Sequence, residues 1–111
     1  MGSEIIILNE CKHGIDFLTI IAARKHKEEV LKLMLNSGCH LIDVVYAKGS
    51  VKTGYFRDML GLVPEEKKVM FTCLIAGNLS DQLLEQLNTK LNFDKPNTGI
   101  AFVVPVNKLS V

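Results

Sequence analysis

The sequence predicts an α+β domain in which strands and helices follow one another in the order β-α-β-β-α-β. Two segments, Phe17–Ala23 and Val69–Ala76, are apolar at consecutive positions, which is typical of strands covered on both faces. A segment with apolar residues at helical spacing follows each of them. A chain of 111 residues is long enough to bury its own core without metals or disulfides. We therefore expect a single domain over residues 1–111.

The first predicted helix covers Lys25–Ser37. Its apolar stripe contains Val30, Leu33 and Met34, and is widened by Leu31 and Leu35. Gly38 stands where a helix commonly ends in a left-handed residue. The second helix begins near Asn78 or Ser80, since either side chain can cap a helix, and its stripe contains Leu83, Leu84, Leu87 and Leu91.

Two further strands are predicted at the edges of the sheet. His40–Ala47 is half polar and includes Asp43, and Ile100–Val106 includes Pro105, which cannot donate a ladder hydrogen bond. Right-handed crossovers place the two fully apolar strands between them. This is the ferredoxin-like split βαβ arrangement. Glu4–Leu8 is a candidate for an extra N-terminal strand.

The two helices cover only one face of such a sheet. Alternate residues of both central strands remain apolar on the other face, so something must cover them, and self-association is the simplest cover.

Composition excludes several kinds of partner. Thirteen basic and twelve acidic residues leave a net charge of +1, which gives no general field for nucleic acid, so any anion site must be local. No apolar run approaches the roughly 20 residues of a spanning helix, so direct membrane insertion is not expected. The odd number of cysteines without C-x-x-C spacing favours a cytoplasmic location.

The cysteines do not predict a metal site. Cys11 lies near His13 and Cys39 precedes His40, but the usual zinc spacings are absent. Cys73 lies inside an apolar run and is expected in the core. We also find no set of nucleophile, base and orienting group, so no enzyme is predicted.

The stretch 94–102, DKPNTGIAF, allows two interpretations. It can be a simple turn before a strand. Alternatively, Asn97 and Gly99 can adopt left-handed geometry and present successive N–H groups to an anion, with Lys95 and Lys68 supplying charge.

The segments KKVMFTCLIAGNLSDQLLEQL and DKPNTGIAFVVPV are similar to the nitrogen-regulatory P-II signalling family, in particular to its shorter P-II-like members. The first resembles the family's third strand and second helix, and the second resembles its B-loop and the strand after it. The resemblance implies a homotrimer that binds an adenine nucleotide (ATP, ADP or AMP) or another small anion in clefts between subunits. It implies no required cofactor.

The resemblance also implies a set of effector-binding residues. By position these are Gly49, Lys68, Lys95, Asn97, Thr98 and Gly99. The chain departs from the family's B-loop pattern, because Asp94 and Asn97 stand where that pattern has glycines and Thr98 where it has an aspartate.

Residues 50–67 take the place of the family's T-loop, and residues 1–16 form an N-terminal extension. The resemblance implies that this loop regulates a partner, either an enzyme or a transporter, through Tyr55, Phe56 and Arg57. The alternative function is a ferredoxin-like trimer for divalent-metal tolerance that binds no nucleotide.

Overall fold

The computed structural model describes residues 5–7, 14–47, 67–95 and 98–110. The strands are β1 (Ile5–Ile7), β2 (Ile15–Ala23), β3 (His40–Ala47), β4 (Lys68–Ala76), β5 (Gly99–Val106) and β6 (Lys108–Ser110). The helices are α1 (Lys27–Asn36), which follows a short 3-10 turn at Arg24–His26, and α2 (Gly77–Leu91).

Four strands form one antiparallel sheet in the order β3-β4-β2-β5. The fully apolar strands β2 and β4 are central, and the strands that carry Asp43 and Pro105 are at the edges. The predicted α+β split βαβ order is therefore confirmed.

A second, two-stranded sheet joins the two ends of the chain. β1 lies where an extra N-terminal strand was expected, and it pairs antiparallel with β6, so that Ile5 is opposite Ser110. β6 was not predicted, because three residues after a proline-containing strand show no periodicity of their own.

The core lies between the sheet and the two helices. It consists of alternate residues of β2 and β4 together with the inner faces of α1 and α2, namely Leu18, Ile20, Ala22, Val30, Met34, Val69, Phe71, Cys73, Ile75, Leu83, Leu87 and Leu91. Cys73 is thus in the core, as predicted. Leu35 is 62% exposed, so the prediction that it widens the buried stripe of α1 is wrong. The side chains of α1 that are fully buried are Val30 and Met34.

The sequence predicted the end of α1 correctly, but it did not predict how α2 begins. Gly38 has a φ of +83°, which confirms the left-handed end of α1. At the start of α2 the predicted side-chain cap is absent, because the helix begins at Gly77 without a cap hydrogen bond. Ser80 instead places its hydroxyl 2.6 Å from Asp16 Oδ2 and 3.0 Å from the Gly77 carbonyl oxygen, either of which can accept its proton.

Candidate functional site

The sheet register brings distant predicted site residues to one end of the fold. Lys68, at the start of β4, is opposite Ala23 of β2 and Ala47 of β3. Gly99, at the start of β5, is opposite Ala22. Since neighbouring strands lie about 4.8 Å apart, Lys68 and Gly99 are separated by about 10 Å across β2.

Lys68 is only 5% exposed in the single chain. A buried ammonium group must be paired, and Lys68 does have an interaction partner in the chain. Lys68 is therefore part of the buried interior at this end of the sheet and is not a freely exposed charge.

The turn between α2 and β5 leads to the same end. Asn92 has a left-handed φ of 57°, and the N–H groups of Asn92 and Phe93 both donate to the Leu87 carbonyl oxygen, which closes the helix. The Lys95 N–H then donates to the Asn92 carbonyl oxygen at 2.9 Å. The Lys95 side chain is exposed. Thr98 is half-buried.

Gly99 is marked by a close approach to a side chain rather than by a left-handed backbone. Its φ lies outside the left-handed region, so Gly99 does not use the left-handed geometry that the anion-binding interpretation allows it. An added Cβ at Gly99 would lie only 2.5 Å from Cζ of Phe93. The Phe93 ring covers Gly99, and β5 begins there with ordinary extended geometry.

A cation–aromatic cluster that the sequence did not predict lies at this end. The Arg24 guanidinium carbon is 4.7 Å from the centroid of the Tyr46 ring, and Lys27 Nζ is 5.1 Å from the same centroid. A hydrogen bond with Tyr46 raises the pKa of Lys27, and the Tyr46 charge adds to this effect. The backbone N–H of Arg24 donates a hydrogen bond to the Lys67 carbonyl oxygen at 3.0 Å. This bond links the residue that follows β2 to the residue that precedes β4.

Basic residues are concentrated at this end although the chain is nearly neutral. They are Arg24, Lys25, Lys27, Lys67 and Lys68, opposed by Glu28 and Glu29 in the first turn of α1. The signal was present in the sequence as RKHK directly after one apolar strand and KK directly before the next. Only the pairing of β2 with β4 shows that these two basic runs lie next to each other.

Several predicted residues cannot be placed. Gly49, Asn97 and the loop residues Tyr55, Phe56 and Arg57 lie outside the described residues.

Within the described part of the chain, no group of three or more His, Cys, Asp or Glu side chains is arranged to hold a metal ion. Among the same residues, no helix is long and apolar enough to cross a membrane.

Comparison with known proteins identifies the family. The family model for nitrogen regulatory protein P-II matches residues 15–111. The chain belongs to the P-II family. No curated protein matches it in sequence.

Solved structures of P-II and P-II-like proteins share the fold. CPII from Thiomonas intermedia K12 bound to ADP, AMP and acetate has a TM-score of 0.63 at 21% identity, over 87% of each chain. CPII bound to ADP, AMP and bicarbonate has a TM-score of 0.60 at 20% identity, over 97% of this chain and 96% of that one. Arabidopsis thaliana PII bound to citrate has a TM-score of 0.60 at 14% identity, over 86% of this chain and 79% of that one.

Proposed function

We propose that this P-II protein is a cytoplasmic, non-enzymatic signalling protein that binds a small anionic effector between the subunits of a homotrimer. An adenine nucleotide is the proposed effector, and the loop at residues 50–67 is the proposed contact with a regulated enzyme or transporter. Lys68, Lys95, Thr98 and Gly99, with Gly49 and Asn97, are the proposed binding residues.

The observation that carries the proposal is the meeting of three strand ends at a locally basic site. The register places the starts of β4 and β5 beside the end of β2, with Lys68 and the basic residues around Arg24 at the same place. A concentration of positive charge in a chain with a net charge of +1 favours a local anion site. The structures of similar fold contain ADP, AMP, acetate, bicarbonate or citrate, which are all anions.

The helix-free face of the sheet supports the homotrimer. Phe17, Phe102 and Val104 are 39%, 46% and 51% exposed on that face of the single chain. Covering them with other subunits removes apolar surface from water, and each subunit then contributes its basic strand ends next to a neighbour.

A thermal-shift screen tests the proposed effector class. The arms are ADP, AMP, bicarbonate and citrate on one side, and copper and zinc on the other. A ligand that binds only the folded protein stabilises it, by about 2.7 kcal/mol at a concentration of 100 times its Kd. We expect a higher melting temperature with ADP or AMP. A shift with the metals alone would support the metal-tolerance alternative and contradict the proposal.

Calorimetry on two lysine variants then locates the site. Lys95→Ala removes an exposed charge from the turn before β5, and Lys90→Ala removes a matched exposed charge from the last turn of α2. Loss of one charge-assisted contact costs roughly 1.5–3 kcal/mol, or about ten- to a hundredfold in affinity. We expect this loss for Lys95→Ala and none for Lys90→Ala. If Lys95→Ala bound the effector as tightly as Lys90→Ala does, the effector would have to bind elsewhere.

A further inference from the structure

Three side chains from separate segments meet at the end of β3. Arg24 follows β2, Lys27 is the first residue of α1, and Tyr46 is the second-last residue of β3. The Arg24 guanidinium carbon and Lys27 Nζ lie 4.7 Å and 5.1 Å from the centroid of the Tyr46 ring. The two positive groups are therefore within about 10 Å of each other, where like charges repel.

This cluster is separate from the residues proposed to bind the effector. Tyr46 is paired with Val69 of the core, and directly paired residues share a face, so Tyr46 is on the helix-packed side of the sheet. Lys68 is next to Val69 in β4 and is therefore on the other side. Gly99 begins β5, which is three strand spacings from β3, or about 14 Å. The cluster is thus on the opposite face from Lys68 and at the opposite edge from Gly99.

The positive charges of the cluster are at an unfavourable end of α1. The dipole of a helix favours negative groups at its N-terminus, whereas Arg24, Lys25 and Lys27 precede or open this helix. The side chain of His26, the N-cap residue, makes no cap hydrogen bond. The exposed carboxylates in the first turn, Glu28 and Glu29, offset part of this charge. A local arrangement that costs helix stability is typical of a functional site.

The Arg24 side chain also has an unsatisfied donor. Among the residues that the structure describes, Arg24 Nε is a buried nitrogen without a hydrogen-bond partner. Such a donor is rare in a folded protein, because leaving it unpaired costs free energy that an acceptor would recover. Arg24 as a whole is only partly buried, and the Tyr46 ring beside it is 52% exposed. A small rotation of either side chain is therefore enough to bring Nε into contact with a ligand.

We propose that Arg24 and Lys27 bind a phosphate group beside the Tyr46 ring. The guanidinium presents its N–H groups in a fork that matches two oxygens of a phosphate, so that Nε gains an acceptor, and Lys27 Nζ donates to a third oxygen. A phosphate monoester carries about −1.5 to −2 charges at neutral pH, which balances two cations better than a single carboxylate does. The group is either free phosphate or part of a nucleotide. The inference does not rest on the proposed function, because neither Lys68 nor Lys95 takes part.

Nuclear magnetic resonance of the arginine side chains tests the proposal on the full chain. The arginines are Arg24 and Arg57, so Arg57→Lys assigns the two Nε–H signals. Inorganic phosphate, AMP and acetate are titrated separately at constant ionic strength, which keeps general screening equal. We expect a saturable shift of the Arg24 Nε–H signal with inorganic phosphate and with AMP, or with AMP alone if the nucleotide is the source. No saturable shift with either, or an equal shift with acetate, would overturn the proposal.

Calorimetry with the phosphate ligand that gives this shift then tests the two cations. Arg24→Lys keeps the charge but loses the fork of donors, and we expect at least about tenfold weaker binding. Lys27→Ala should weaken binding by a similar factor, and it decides the question if Arg24→Lys fails to fold. Lys90→Ala, in the last turn of α2, is the control and should bind normally.

This test is distinguishable from that of the proposed effector site. Unchanged phosphate affinity in both Arg24→Lys and Lys27→Ala would overturn this inference. If Lys95→Ala lost affinity for ADP in the same series, the proposed effector site would still stand.

Discussion

Both faces of the four-stranded sheet carry large apolar residues, but a single chain covers only one of the two faces. On the helix-packed face, Leu18, Ile20 and Phe71 are completely buried. On the opposite face, Phe17 and Phe102 remain more than one-third exposed. Apolar residues alone therefore do not show which face the chain covers for itself. We call the helix-packed face the closed face and the opposite face the open face. The difference indicates that the closed face stabilises the fold, whereas the open face is available for association.

The largest effect should come from the middle of the closed face. Phe71 lies between Ile20 and Val44 and is fully buried, so Phe71→Ala should reduce the free energy of unfolding by roughly 3–5 kcal/mol. Urea denaturation at fixed protein concentration measures this loss. The matched variant on the open face is Phe102→Ala, for which we expect less than half of that loss. Equal losses would remove the distinction between the two faces.

A smaller effect is expected where the closed face meets the candidate site. Gly99→Ala places a methyl group against the Phe93 ring, and overpacking of this kind costs roughly 1–3 kcal/mol. Phe93→Ala removes the ring, so the same change at Gly99 should cost much less in that background. A double-mutant cycle by urea denaturation gives the coupling energy. No coupling would mean that another constraint requires glycine at residue 99.

The smallest effect concerns the polar contact between α2 and β2. Ser80→Ala removes the hydroxyl that lies 2.6 Å from Asp16 Oδ2, and we expect a loss of about 0.5–1.5 kcal/mol in the free energy of unfolding. Thr89→Ala is the control, because its hydroxyl makes only an exposed 3.4 Å hydrogen bond to the Gln86 carbonyl oxygen. A Ser80→Ala variant as stable as the control would show that the contact with Asp16 contributes nothing.

The sequence predicted the elements with strong periodicity and missed features that depend on tertiary contacts. The stripes of α1 and α2 and the central position of β2 and β4 follow from hydrophobic pattern and crossover handedness. The burial of Lys68 and the bond from Ser80 to Asp16 could not be predicted, because both depend on which strands become neighbours.

The residues of the candidate site were likewise predicted only in part. The resemblance to the P-II family selected Lys68 and Gly99 as site residues, and the register brings them to one end of the sheet. It did not select Arg24 or Tyr46, whose contact joins residues more than 20 positions apart. Nor did the sequence indicate that the Phe93 ring lies against Gly99.

The central claim is that the effector binds between subunits assembled through the open face. Phe102→Glu tests it, because it places a negative charge on that face, whereas Thr89→Glu places the same charge on the exposed side of α2. Light scattering should show trimers of the 12.3 kDa chain for the unmodified protein and Thr89→Glu, and folded monomers for Phe102→Glu.

The deciding measurement is a calorimetric titration of ADP into these three proteins. We predict binding to the unmodified protein and to Thr89→Glu, and at least about a hundredfold weaker binding to Phe102→Glu, because a monomer lacks the neighbouring half of the cleft. Equal affinity of ADP for a folded Phe102→Glu monomer would contradict an effector site between subunits.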